Sequence, residues 1–476
     1  MSATMNPGIR RRILGLAALL AIAPACESSY PFPIHVVLPD DTDDLERADN
    51  LALELAPQGV VVNYDAIDGP DFTVSLELEP DDVTRTMTLY LAEGTELLAW
   101  GRSAPFVLSV PFEGLAIYLS PPGALSTFPG KIGAPDPALL ACPAIGRGMV
   151  MLDSDGATAL FNAFTLETVE GASLEITEAD GGLPDPADGA LVPDAAGNVW
   201  RFAWAQTLRG YQYLPGDDRW APAALRGDPG GPRPGAAHLQ DASRERLLVL
   251  GGGQQTSILE IDLVPDDDGA QVVTPLTVAL DAPRRGAAAT YLTRSDGDVG
   301  EGVVLVGSDD PTTPLAAFVR DGSVTPFGAP EAWTGLACLQ VDHGDAAEKA
   351  DYVRMLCLGG MRGETASTDA VVLNFPPATA DQIPTVDLLP AFLPEPAADP
   401  RVFADDAAIY AQSGALWLRI DRSTLTTETL SAPSTRVRGG HSVFLSTGAT
   451  FLVGGWTADE LAVDHWQVFV PTLSSP

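Results

Sequence analysis

From about residue 48 to 128, apolar and polar positions alternate with period two. Leu51, Leu53 and Leu55 interleave with Ala52, Glu54 and Ala56, and Phe72, Val74, Leu76 and Leu78 interleave with Thr73, Ser75, Glu77 and Glu79. Such alternation predicts strands with one face on a core and the other in water. Further runs at 87–92, 96–100, 106–110 and 114–120 are separated by Pro, Gly and Asp. About six short strands with frequent turn signals predict a small β-sandwich over 48–128. This span has no His or Cys, so a spacer or a binding module fits it better than a catalytic unit.

After residue 129 the pattern changes to a recurring phrase: a turn residue or Arg, a Gly, small residues or His, then a strand ending in glycines. It reads Arg233-Pro-Gly235-Ala-Ala-His238, then Leu247-Leu-Val-Leu-Gly251-Gly252; and Arg285-Gly286-Ala-Ala-Ala-Thr290, then Val303-Val-Leu-Val-Gly307. It returns as Gly335-Leu-Ala-Cys338-Leu339, then Met355-Leu-Cys357-Leu-Gly359-Gly360; and Arg438-Gly439-Gly-His441, then Phe451-Leu-Val-Gly454-Gly455. Weaker copies start at Gly148, Gly189 and Val402. Counting all of them gives seven copies of four strands at a period of about 50 residues, which predicts an all-β propeller over 129–476. Six blades result if the copies at 189 and 402 are partial.

These phrases resemble kelch repeats, whose copies carry an Arg-Gly-His-like start and a hydrophobic strand ending in two glycines, although several copies here lack the Tyr and Trp of that family. The resemblance implies a structural repeat role for Arg233, Gly235, His238, Gly251, Gly252, Arg285, Gly286, Gly359, Gly360, Arg438, Gly439, His441, Gly454 and Gly455. Glycine suits crowded strand ends because it accepts positive φ and close backbone approach. The last copy is one strand short, so a segment near 114–120 or 144–152 is expected to complete it and close the ring.

At the other end, three arginines precede the uncharged apolar run Ile13 to Ala25, too short to span a bilayer, which reads as a signal peptide over 1–25. Ala23-Pro-Ala-Cys26 resembles the lipobox of bacterial lipoproteins, which implies lipidation of Cys26; an ordinary secretory signal cut after Ala23 or Ala25 is the alternative. Residues 26–47, with prolines and the acids Asp40, Asp41, Asp43 and Asp44, read as an acidic tether. The expected address is extracytoplasmic, as an outer-membrane or periplasmic lipoprotein extending to surface exposure.

Composition narrows the chemistry. The 476 residues carry 64 acids against 27 basic residues, a formal net charge of −37 and a pI near 4.2. That argues against nucleic acid, whose binding rests on Lys and Arg releasing counterions. The 46 Gly and 41 Pro argue against long helices. Some proteins with kelch repeats are copper radical oxidases, but the five His here are scattered, and His238 and His441 hold the same position in different copies. Nucleophile-elbow, zinc-protease and phosphate-loop motifs are absent. With so many acids, a carboxylate pair of glycosidase kind carries no weight alone. The acidic turns at 153–156, 266–269 and 295–298 suit tight hairpins, and calcium is a minor alternative there. Cys338 and Cys357 lie on consecutive strands of one copy and are either a disulfide or buried thiols.

No catalytic residue, metal site or cofactor is expected. The reading is an anchored cell-envelope protein whose propeller binds or scaffolds a protein or carbohydrate ligand. The rival is an extracytoplasmic hydrolase or lyase acting on carbohydrate, with carboxylates at the channel mouth. Trp333, Trp456 and Tyr211 are the aromatics nearest to loops.

Overall fold

The computed structural model describes residues 30–472 except 41, 65–68, 77–80, 108–113, 132–135, 145–147, 176–188, 205–206, 242, 293–301, 342–351, 377–382, 432–435 and 458. Among the described residues the fold is all-β, with one helical turn, α1, at Asp44–Arg47. No described helix is long and apolar enough to cross a membrane.

The first seven strands are β1 (Tyr30–Val37), β2 (Asn50–Ala56), β3 (Val60–Tyr64), β4 (Asp71–Leu76), β5 (Thr86–Glu93), β6 (Glu96–Arg102) and β7 (Leu115–Tyr118). They form two sheets, ordered β3-β2-β5-β6 and β4-β1-β7. Leu51, Leu53 and Leu55 of β2 and Met87, Leu89 and Leu91 of β5 share one core with Ile34, Val36, Leu115 and Ile117 from the other sheet. Their polar neighbours turn outward, as Glu54 does to accept from the Tyr90 hydroxyl at 3.1 Å. Residues 26–47, expected as a solvated tether, hold a strand and a helical turn from Tyr30 onward. Ile34 and Val36 flank His35 in an alternation that the neighbouring prolines obscure, and β1 pairs antiparallel with β4 and parallel with β7. Cys26 and the expected signal peptide over 1–25 lie outside the described residues.

A linking strand, β8 (Leu125–Lys131), precedes a series of antiparallel sheets. These run β9 (Leu140–Ala144) to β10 (Gly148–Leu152), β11 (Thr158–Asn162) and β12 (Glu167–Gly171); then β13 (Gly189–Pro193), β14 (Val199–Trp204), β15 (Leu208–Leu214) and β16 (Arg219–Pro222). An added strand, β17 (Leu225–Gly227), borders the sheet of β18 (Ala237–Gln240), β19 (Arg246–Leu250), β20 (Ser257–Asp262) and β21 (Gln271–Ala279). Next come β22 (Ala288–Leu292), β23 (Gly302–Val306), β24 (Pro314–Arg320) and β25 (Ser323–Pro330). The short strands β26 (Trp333–Thr334), β29 (Met361–Arg362) and β30 (Thr365–Ala366) decorate the sheet of β27 (Ala337–Val341), β28 (Val353–Leu358), β31 (Ala370–Phe375) and β32 (Thr385–Leu389). The last sheets are β33 (Arg401–Ala404), β34 (Ala408–Ser413), β35 (Leu416–Asp421) and β36 (Thr427–Thr429), then β38 (His441–Phe444), β39 (Thr450–Val453) and β41 (His465–Phe469), with a ribbon of β37 (Val437–Arg438) and β40 (Trp456–Thr457).

The sheets stand in a ring. Their first strands touch in chain order, β9 to β13, β18, β22, β27, β33 and β38, and β38 returns to β9. That is a β-propeller. Each sheet is buried on both faces: Met355 and Cys357 of β28 pack toward the preceding sheet, while Leu356 and Leu358 pack toward the next. Two buried faces explain why these strands read as continuous apolar runs, in contrast to the alternation before residue 128.

The ring closes through β8, which pairs antiparallel with β41 from Leu125↔Phe469 to Trp466↔Phe128. A segment from before the ring does complete the last sheet, but it is 125–131, neither 114–120 nor 144–152. Of those two, β7 belongs to the N-terminal sheets and β10 to the first sheet of the ring. The first repeat is also displaced by one strand: Gly148 opens the second strand of its sheet, because its own second strand ends at Leu152 and Asp153 without glycines to mark it. The N-terminal unit is seated on the seam, with Trp100, Ala116 and Tyr118 in one core with Phe128, Phe161, Phe451 and Trp466. The Trp100 indole donates to Pro471 O at 3.0 Å.

Candidate functional site

Four buried donors serve the same acceptor of the repeat. Arg233, 1% exposed, donates from Nη1 to Gly251 O at 3.1 Å and to Ser257 O at 2.7 Å. Arg284, equally buried, donates from Nη1 to Gly307 O at 3.5 Å and from Nη2 to Ala316 O at 3.1 Å, while Asp281 accepts from its Nε and Nη2. Trp333 donates its indole N–H to Gly359 O at 2.7 Å, and Arg401 donates from Nη2 to Gly454 O at 2.8 Å and from Nε to Gly439 O. The acceptor in each case is the carbonyl of the glycine that ends the second strand. These glycines are buried, so their carbonyls need an internal partner.

Arg285 and Arg438, expected to have a structural repeat role, are surface residues. The Arg285 side chain is 52% exposed and lies 3.5 Å from Asp309; that of Arg438 is 44% exposed and lies 3.2 Å from Glu460. Arg233 and Arg284 both stand two residues before a repeat glycine, Gly235 or Gly286. The same offset before Gly439 falls on Val437, and Arg401 supplies the missing donor from the preceding sheet.

The glycines link neighbouring sheets. Gly252 N donates to Pro283 O at 2.8 Å, Gly360 N to Ala397 O at 2.7 Å and Gly455 N to Pro137 O at 3.3 Å. A second row runs through the repeat starts, with Gly286 N on Gly235 O at 2.9 Å and Gly335 N on Gly286 O at 3.2 Å. At Gly252, φ is 84° and a Cβ would lie 2.7 Å from Arg233 O, so only glycine fits.

His238 and His441 open two first strands, as their shared repeat position implies. His238 is half-buried, and desolvation of its ring presses its pKa down to about 4, with the Arg201 charge adding; its Nε2 has no partner. His441 is pressed down to about 4 by crowding and by Arg401, although its side chain keeps solvent access. Cys338 and Cys357 face each other across β27 and β28 and are joined as a disulfide, Cα to Cα 4.1 Å. Cys142 is a free, buried thiol whose pKa burial raises. Trp333 and Tyr211 are buried, and Trp456 is 41% exposed.

Around the glycine turns, arginine holds five carboxylates, Asp281 on Arg284, Asp309 on Arg285, Glu331 and Asp369 on Arg362, and Glu460 on Arg438, while Asp399 beside Gly335 has no arginine partner among the described residues. Two acidic turns cap themselves. Asp153 Oδ1 accepts from Asp155 N and Ala157 N, and Asp266 Oδ1 from Asp268 N and Ala270 N. The turn at 295–298 lies outside the described residues. Among the described residues no cluster of three or more His, Cys, Asp or Glu could hold a metal ion.

Concave surface lies on the opposite face of the ring, where the turns between β11 and β12 and between β13 and β14 are found. A cleft of about 640 Å³ between the first two sheets is lined by Met149, Phe161, Phe164, Val169, Tyr213 and the amides Asn162 and Asn198, among others. The Tyr213 hydroxyl donates to Asp218 at 2.6 Å. A second cleft of about 460 Å³ shares Phe164 and reaches the N-terminal unit at His35, Asp71 and Thr73, with Glu167 on its rim.

The chain matches no family of known proteins and no curated protein. Among solved structures it is similar to YjhT, at a TM-score of 0.38 and 13% identity over 58% of this chain and 92% of that one. It is similar to dihydro-heme d1 dehydrogenase NirN in complex with DHE (0.42; 12%; 81% and 72%) and to the β-propeller domain of Cps50 (Swd1) from Myceliophteria thermophila (0.41; 11%; 72% and 99%).

Arg284 was signalled by the Arg-x-Gly spacing it shares with Arg233. Trp333 keeps that offset before Gly335 with another residue type, and Arg401 carries no such signal, because the repeat conserves a donor in space and not a residue type. The clefts leave no mark in the sequence, since turns from separate sheets build them.

Proposed function

We propose that this is an exported, lipid-anchored cell-envelope protein whose seven-bladed, kelch-like propeller, carrying a small β-sandwich, works as a non-enzymatic binding or scaffold module. Taking each sheet of the ring as a blade gives the count, with β8 as the fourth strand of the last. Acylation at Cys26 would hold the sandwich close to the bilayer. Only residues 27–29 separate it from β1, and an extended chain spans at most about 3.5 Å per residue.

The observation that carries the binding reading is the lining of the larger cleft. Among the described residues it contains no carboxylate, imidazole, amine or thiol, and the phenol of Tyr213 is engaged by Asp218. Such a site can recognise a ligand but has nothing positioned to move a proton. At the glycine face, five carboxylates are held by arginine, which weighs against the hydrolase or lyase reading.

The test is to incubate the purified protein with chromogenic glycosides and cell-wall polysaccharides. Retention without turnover is expected. Turnover that disappears on heat unfolding would overturn the reading.

A further inference from the structure

We propose that the two clefts meeting at Phe164 form one groove for an extended peptide of a partner protein, with apolar side chains at alternate positions and Lys or Arg between them. The proposal rests on the reading of the protein as a non-enzymatic binder.

Three features coincide at this groove. The strand β12 ends its sheet, and beyond β11 no described strand pairs with it, so one row of its backbone groups is open to an added strand. Val169, at its centre, is 53% exposed and lines the larger cleft, an apolar side chain set where an added strand would lay its own. Glu167 and Glu170 flank it, both exposed, and neither has an ion pair among the described residues. Along the groove, the second cleft adds Asp71, whose side chain is 78% exposed and lies 2.5 Å from His35 Nδ1. Apolar floor, open edge and the two glutamates without an ion pair among the described residues together specify a basic, apolar, extended occupant. A neutral saccharide fits less well: Asn198 donates its amide to Asp194, and the Asn162 carbonyl accepts from Phe164 N.

The molecule shows this mode of contact once already. In the third sheet, Leu225–Gly227 lies parallel on the outer edge of β21, with Leu225 opposite Gln271 and Arg226 opposite Val272. Arg226 reaches Asp266 at 2.8 Å and Asp268 at 2.6 Å. An apolar and basic extended segment therefore covers an outer edge flanked by acids. The edge of β12 offers the same chemistry without a described segment on it.

Fluorescence anisotropy on the full chain tests this with two labelled nine-residue peptides of equal composition. One alternates Val and Lys; the other carries the lysines in one block and the valines in another. The alternating peptide should bind at least about tenfold more tightly than the block peptide. Val169→Asp should remove that preference, and Glu167→Lys with Glu170→Lys should transfer it to a peptide alternating Val and Glu. All three positions are exposed, and an unchanged melting temperature shows that the variants fold. Equal binding of the two peptides, or no effect of either variant, would overturn the proposal. Val169-dependent binding of a neutral hexasaccharide with no peptide binding would overturn the peptide assignment alone, whereas glycoside turnover would overturn the binding reading beneath it.

Discussion

The amide of Gly455 donates to the carbonyl of Pro137, 3.3 Å away, joining the last repeat to the first. Gly252 makes the same contact with Pro283, and Gly360 with Ala397. One contact thus serves both between neighbours and across the seam, and the seam alone also borrows a strand, β8, from before the ring. The ends of a chain of this length are costly to bring together, and many small contacts of one kind offset that cost. A ring held in this way presents its turns at fixed positions, which a binding surface built from several sheets requires.

Two adjacent arginines test the role of the buried donors. Arg284 is buried and holds Gly307 O, Ala316 O and Asp281, whereas Arg285 is half exposed beside Asp309. Arg284→Ala should lower the unfolding free energy by about 3 kcal/mol or more, because it strands buried acceptors and a carboxylate. Arg285→Ala should cost less than about 1 kcal/mol. Urea unfolding of both variants measures the difference, and equal losses would show that the register of the repeat is misassigned.

The sequence showed the period of the repeat, and with it the ring, because glycines at strand ends are demanded by backbone crowding and recur as letters. It also placed Arg233 at a repeat start, and it put Cys338 and Cys357 on consecutive strands while leaving a disulfide and buried thiols both open. It did not show that Trp333 and Arg401 stand in for Arg233, since an indole N–H and a guanidinium from another sheet satisfy the same carbonyl by different routes. Nor did it show β1, whose Ile34 and Val36 are two apolar positions among prolines. The groove at Phe164 is less legible still, because it depends on how the 163–166 turn, β13–β14 and the N-terminal sheets come together.

His238 predicts a pH dependence. Desolvation of its ring lowers its folded pKa from an ordinary value near 6.5 to about 4. The unfolded chain therefore binds the proton more readily between these values. Stability is full above about pH 6.5 and falls as the pH drops toward 4, by roughly 3 kcal/mol in all. Many carboxylates titrate in the same range, so the comparison is with His238→Gln, which lacks this proton. Chemical unfolding at pH 7.5 and pH 4.5 should show a smaller loss in His238→Gln than in the unaltered protein. Identical losses would mean that the His238 ring is not desolvated as described.

Closure of the ring by β8 is tested most directly by a cross-link at the seam. Thr127 and Gln467 are opposite each other in the pairing of β8 with β41. With both changed, as Thr127→Cys and Gln467→Cys, mild oxidation should form a bridge between these distant positions. Mass spectrometry of the non-reduced, digested protein should then find the two peptides joined in nearly every molecule. Peptides that stay separate while the protein remains folded would contradict a ring closed by β8.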